Sequence, residues 1–202
     1  MDAAHTQQDA PRRRDPKDKR ERLLKAAREL FVANGFEKTT TKEIVQRSGV
    51  SEGILYHQFG SKFGIFRALT EAYAREAIAE FAPRDQGRLD AEQIIRNLIA
   101  FADRDRRFFA LVDSSAPLLQ KHGIPTLPEL IVPAIEATIR ASTRDAGAQP
   151  AHPAILAEFQ YAIVEATCRG WLRSRSTKKK EAFIREGVRS MEALLRPDID
   201  ER

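Results

Sequence analysis

The side chains whose types and spacing suit a definite chemistry lie between Thr39 and Phe66, in the run TTTKEIVQRSGVSEGILYHQFGSKFGIF. That chemistry is contact with a nucleic-acid duplex. Thr40, Lys42, Tyr56 and Lys62 carry donors of the kind that hold phosphate oxygens and fix a protein's register without reading sequence, and Thr41 and Ser51 stand beside them. Glu52 can accept from a cytosine amino group, Ile54 can meet a thymine methyl, and His57 can touch a base edge or the backbone. Gly53, with no side chain, allows the main chain a close approach.

No other part of the chain assembles a comparable set. The four histidines, His5, His57, His122 and His152, have no carboxylate or thiol at metal-ligand spacing, so neither a metal nor another cofactor is expected. Asp113-Ser114-Ser115 with His122 has hydrolytic composition but no Gly-x-Ser-x-Gly elbow, and there is no glycine-rich phosphate loop. No catalytic residue is assigned. Phe101, Phe108 and Phe109 are aromatics that a small-molecule cavity uses, and Asp113, Ser114, Gln120 or His122 could supply its few polar groups. The same stripe serves equally as plain core. Arg104, Arg106 and Arg107 read as an exposed face.

The recognition residues need a frame, and local signals provide one. Thr40 with Glu43 three residues later is a capping box that starts a helix. Ile44 and Val45 give that helix a buried face, and Ser48-Gly49-Val50 ends it, glycine taking the left-handed backbone of a tight interhelical turn. Ser51 can cap a second helix, in which Val50, Leu55 and Phe59 fall on one side while Glu52, Gly53, Tyr56 and His57 face outward. The spacing is that of a helix-turn-helix, and also of an ordinary helical hairpin. Upstream, Asp15 and Pro16 start a supporting helix. Its apolar residues Leu23, Leu24, Ala27, Leu30 and Phe31 recur at helical spacing, Asn34-Gly35 ends it, and Phe36 folds back. Lys17, Arg20 and Lys25 are left exposed. Downstream, Ser61 can cap a helix whose stripe of Ile65, Phe66, Leu69 and Tyr73 runs towards Phe81 and stops at Pro83 and Gly87.

From Leu23 to Leu69 the chain resembles the DNA-binding domain of the tetracycline-repressor-like (TetR) family, most specifically at Thr39-Thr40, Gly49-Val50-Ser51, Gly53 with Leu55-Tyr56, Phe59, and Ser61-Lys62. Three positions depart from the family pattern: Gln58 where an aromatic or His is common, Gly60 where Pro is common, and Phe63 where an acidic residue follows Ser-Lys. The resemblance implies an all-α protein, with an N-terminal three-helix helix-turn-helix domain followed by a helical ligand-binding and dimerisation domain. The expected divisions are a disordered basic arm over 1–14, the DNA-binding domain over 15–60, a connecting helix over 61–82 and the effector-binding and dimerisation domain over 83–202.

Composition agrees with that reading. The 202 residues are 42% hydrophobic, an ordinary globular value, and the formal charge of +5 is concentrated near the start. Residues 11 to 28 carry nine Lys or Arg against three Asp or Glu, directly before the groove-reading stretch. Arg12, Arg13 and Arg14 could enter a minor groove or track phosphates, or form a solubilising tail. The single cysteine, Cys168, excludes an internal disulfide, and no run approaches the roughly 18 apolar residues of a membrane span. A cytoplasmic protein without membrane partners is expected.

From Leu89 onward the spacing is helical nearly to the end, with breaks at Pro117, at 122–125 and at 145–153. It predicts helices near 90–103, 104–116, 126–143, 153–174 and 178–196, with Pro133 inside the third. In the last two, apolar residues cover about half the circumference, wider than one core face needs. Two such faces fit a homodimer joined by a four-helix interface through Phe159, Ile163, Trp171, Ile184, Val188, Met191 and Leu195, and the resemblance implies the same. The expected function is a homodimeric transcriptional repressor released from a palindromic DNA operator by a small-molecule effector. The alternative is a helical small-molecule-binding module with only non-specific nucleic-acid contact.

Overall fold

The structure, a computed structural model, describes residues 16–81, 91–144, 152–174, 176 and 179–195. Its regular elements are all helices: α1 (Pro16–Asn34), α2 (Thr41–Ser48), α3 (Glu52–Phe59), α4 (Lys62–Phe81), α5 (Ala91–Arg104), α6 (Arg106–Ser114), α7 (Ala116–Lys121), α8 (Leu127–Arg144), α9 (Pro153–Arg173) and α10 (Lys180–Leu195). Among the described residues none is a strand, and no helix is long and apolar enough to cross a membrane. The chain divides between Ile65 and Phe66 into two compact units, a head and a body. The division falls inside α4. The arm over 1–14 and the stop at Pro83 and Gly87 lie outside the described residues.

In the head, α1, α2 and α3 pack on one another. Leu23, Phe31, Ile44 and Leu55 are completely buried between them, each burial stabilising by about 1.5–3 kcal/mol. Phe36 folds back as its spacing predicts, its ring 5.3 Å from that of Phe31. Phe63, one of the departures from the family pattern, stacks on the other side of Phe36 at 4.8 Å. Gly60 takes φ 70°, a backbone that proline cannot enter because its ring fixes φ near −65°. The turn from α3 into α4 therefore has a different geometry from one built on proline.

In the body, α5, α9 and α10 form the central layer, with α8 packed along α9 and α6 against α5. Ile95, Ile99, Cys168, Trp171, Ile184 and Met191 make one buried cluster. Glycines bring α9 and α10 close: a Cβ on Gly170 would lie 2.6 Å from the Phe183 ring, and one on Gly187 would lie 2.8 Å from Thr167 Oγ1. This contact changes the reading of the broad apolar faces. Trp171, Ile184 and Met191, expected at a dimer interface, are 3%, 3% and 1% exposed within the single subunit. Half a circumference is needed here because each helix is flanked on two sides. The short helix α7 was not predicted; Pro117 sits in its first turn rather than ending a helix.

The tightest glycine in the head is Gly64, where a Cβ would lie 1.8 Å from the Phe59 carbonyl oxygen. That oxygen belongs to the backbone and cannot swing away. Gly64→Ala is expected to lower head stability by about 3 kcal/mol or more, the upper range for overpacking, read by chemical denaturation followed by circular dichroism. At Gly53 nothing lies within 4 Å of an added Cβ. There the alanine should leave stability unchanged or raise it by up to about 1 kcal/mol.

Candidate nucleic-acid interface

The outward face of α3 is held by devices that close the turns around it. At the start of α2, Thr40 Oγ1 accepts from the Glu43 N–H at 3.2 Å. Glu43 in return accepts from the Thr40 N–H at 2.7 Å and from its hydroxyl at 2.8 Å. Donation by the Thr40 backbone N–H, then by its hydroxyl, holds the Glu43 carboxyl below its ordinary range. The capping contribution is thus complete above that range and is lost as pH falls through the lowered pKa.

At the other end of α2, Gly49 takes φ 62° and closes the helix. Arg22, on α1, donates through Nη2 to the Ser48 carbonyl at 2.5 Å and to the Gly49 carbonyl at 3.3 Å. A Cβ on Gly49 would sit 2.8 Å from that same nitrogen. The glycine therefore serves both the turn and the guanidinium beside it. Thr39, fully buried, donates to the Gly35 carbonyl at 2.8 Å and closes the end of α1.

Lys62 belongs to this frame too, which corrects its expected role. Its Nζ donates to the carbonyls of Phe36 at 2.9 Å, Glu37 at 3.3 Å and Thr39 at 2.8 Å, and lies 4.4 Å from the centre of the Phe36 ring. An ammonium has three donors, and all three are used. The carbonyls after α1 converge on it because that segment belongs to neither helix ladder. Lys62 is thereby withdrawn from the residues expected to hold phosphate.

The other residues expected to meet DNA differ in exposure. Leu55 and Val50 are buried, and Phe59 is half-buried with the Arg20 guanidinium 5.2 Å from its ring centre. Ser51, Glu52, Gly53 and His57 are exposed, Tyr56 is 45% exposed, and Ile54 is half-buried. Ser51 occupies the N-cap position of α3 but makes no side-chain cap bond, contrary to its expected capping role. Thr40 and Lys42 are exposed and Thr41 is half-buried. Arg12, Arg13 and Arg14 lie outside the described residues.

The residues expected to form an effector pocket are only partly brought together. Phe101 and Phe109 line a cavity of about 40 Å³ with Tyr73, Leu98, Ile131 and Val164. Phe108 is fully buried with its ring 5.3 Å from Tyr73, outside the cavity wall. Asp113 is held by Arg169 at 2.5 Å, and Gln120 and His122 are exposed; none of the three lines the cavity. Its polar groups come instead from Tyr161 and Glu165 on α9, with the Cys168 thiol beside them, and from Tyr73 on α4. Burial, reinforced by the Glu165 charge, pushes that thiol up to about 12. Tyr161 and Glu165 stand one helical turn apart, a signal present in the sequence but obscured by the wide apolar face around it. Among the described residues no three His, Cys, Asp or Glu converge as metal ligands would.

Residues 23–69 match the profile of the bacterial regulatory proteins, tetR family. The regulator UidR of Escherichia coli K12 is 32% identical over 81 residues, which are 40% of this chain and 41% of UidR. The chain thus aligns with less than half the length of that relative. The activator FasR of Mycolicibacterium smegmatis is 23% identical over 174 residues, 84% of this chain and 80% of FasR. Among solved structures, GusR of Salmonella enterica superposes with a TM-score of 0.71 at 22% identity, over 90% of this chain and 97% of GusR, so the likeness in fold extends through the body.

Lys62→Met keeps the aliphatic stem over Phe36 and removes the charged donor from three carbonyls. It is expected to lower head stability by about 1.5–3 kcal/mol, the range for hydrogen bonds to charged groups. Lys42→Ala, at an exposed position, should stay within about 0.5 kcal/mol of the parent. Urea denaturation of both variants checks the contrast, and equal behaviour would return Lys62 to the solvent-facing set.

Proposed function

We propose, from the match of residues 23–69 to the tetR family of bacterial regulatory proteins, a homodimeric transcriptional repressor that leaves a palindromic operator when a small molecule occupies its body. The observation that carries DNA binding is the exposure of Ser51, Glu52, Gly53, Tyr56 and His57 along a helix whose Leu55 is sealed into the head. Gly53 sharpens it: the space where a Cβ would stand is empty, so nothing within the chain requires glycine there, whereas a duplex lying against α3 would. Thr41, Lys42, Ser51 and Tyr56 hold phosphates in this reading, whereas the N–H and hydroxyl of Thr40, expected beside them, are both donated to Glu43. Glu52, Ile54 and His57 meet base edges, and Arg12 to Arg14 reach the flanking groove or backbone.

Dimerisation rests on what the body leaves uncovered. Ile155 and Phe159 are 49% and 55% exposed, and with the exposed Ala162 and Ala166 they follow one line along α9 at helical spacing. Small residues in the middle of such a line allow two helices to approach closely. The outward positions of α10 are mostly charged, with Arg185, Glu186, Arg189 and Glu192 exposed. The proposed interface is therefore centred on α9, with Phe159 and the half-buried Ile163 retained from the expected set and α10 at its rim. A two-fold axis through it sets two copies of α3 about 34–36 Å apart on the operator. A ligand that binds the body better in another disposition of the heads weakens DNA binding by the same free energy.

Selection from random duplex DNA should enrich a palindrome with half-sites about one helical turn apart, and enrichment of no sequence would remove the operator from this account. Gly53→Ala should weaken binding to the selected site at least tenfold while the protein remains folded. In sedimentation the parent is expected to be a dimer at micromolar concentration. Phe159→Asp, which would bury an unpaired charge at the interface at a cost of several kcal/mol, should be a folded monomer with full-operator affinity reduced by about 100-fold or more. A variant that stays dimeric would move the interface away from α9.

A further inference from the structure

The chemistry of the body's walls narrows what can occupy it. We infer that the effector is an apolar molecule with a cationic, hydrogen-bond-donating head, its body lying between α8 and α9 and its head reaching Tyr161 and Glu165. This rests on the reading above that the body binds a small molecule. The cavity of about 40 Å³ would hold only about one or two waters. Tyr161 is also a wall of a second, open groove of about 350 Å³, formed with Pro128, Glu129, Val132, Pro133 and Glu158. That volume is within the roughly 300–1,000 Å³ of ligand sites, and Tyr161 is the wall that groove and cavity share.

Most polar groups along this path accept hydrogen bonds, the donors among the described walls being the Tyr73 hydroxyl and the weakly donating Cys168 thiol. The Tyr161 hydroxyl already donates to Glu165 Oε1 at 3.3 Å, which leaves its oxygen lone pairs for a ligand. Burial, then the Glu165 charge, raises the phenol far above its ordinary value, so it stays protonated in that bond. Pro133 lies inside α8 and has no N–H to offer the Glu129 carbonyl four residues back, which adds one more acceptor beside the groove. Among the described residues no Lys, Arg or His lines either space, whereas Glu129, Glu158 and Glu165 do. Arg169 is the base nearest Glu165, at 3.2 Å, and it is also bound to Asp113 at 2.5 Å.

An anionic head would meet like charge, least screened at the half-buried Glu165, and would find no cationic donor among the described walls. A cationic head gains on both counts, and the faces of Tyr73, Phe101 and Phe109 can add cation–π attraction. The remaining walls are aliphatic, so the body of the ligand is apolar.

The test uses three probes of one shape, 4-phenylbutylamine, 4-phenylbutanol and 4-phenylbutyrate, titrated calorimetrically into the full chain. The amine should bind at least tenfold more tightly than the butyrate, with the alcohol between them. Glu165→Gln should bring the amine-to-alcohol ratio close to one, while Asp113→Asn, which removes an equal charge away from the walls, should keep it. Tightest binding of the butyrate, equal binding of all three, binding of none, or a ratio unmoved by Glu165→Gln would each overturn the assignment. Operator release is read separately. An amine that binds at Glu165 without releasing DNA refutes release and leaves this site standing, and release by the butyrate alone does the reverse.

Discussion

Five backbone carbonyls in the head are met by two cations, Arg22 at the end of α2 and Lys62 beside the loop after α1. A three-helix unit of this size has as much helix end as helix middle, and every end exposes carbonyls that have no partner in their own ladder. Its apolar core can hold the helices together but cannot fix the angles at which they leave their turns. The two cations do that. The direction of α3, and with it every contact its outward residues could make, depends on these bonds more than on any single apolar contact.

The body solves a different problem. Its helices are long, their ends are a small fraction of their length, and the central constraint is how closely α9 and α10 can approach. Gly170 and Gly187 remove the Cβ atoms that would meet Phe183 and Thr167, and the resulting contact takes up Trp171, Ile184 and Met191. The apolar surface left outward is a narrow line on α9 rather than a wide face shared by both helices. The cavity and the groove, which share Tyr161 as a wall, lie on the α8 side of α9.

These differences mark where the sequence was legible. Helix positions were, because apolar period, Pro16, the Thr40–Glu43 box and Gly49 are local signals whose meaning does not depend on the rest of the chain. So was the sidedness of α3. Lys62 was misassigned because three ammonium donors look the same whether they face phosphates or carbonyls, and only the path of the chain after α1 decides between them. Trp171 and Met191 were misassigned because periodicity reports that a face is apolar without reporting what covers it. The polar members of the cavity were sought on the loop near His122 for their residue types, whereas the fold brings Tyr161 and Glu165 there from a helix that looked like core.

The amino end of α3 lacks a side-chain cap at Ser51 and carries a helix-weakening glycine one residue into the helix at Gly53. Its first turn is consequently held less firmly than a turn closed by a side-chain cap. A duplex with a matching surface completes that turn, and its contacts offset the ordering that completion requires. A duplex that matches poorly must order the same turn with fewer contacts to offset it. The cost of ordering the turn is common to both, so it lowers affinity for all sequences alike and leaves discrimination equal to the difference in their direct contacts.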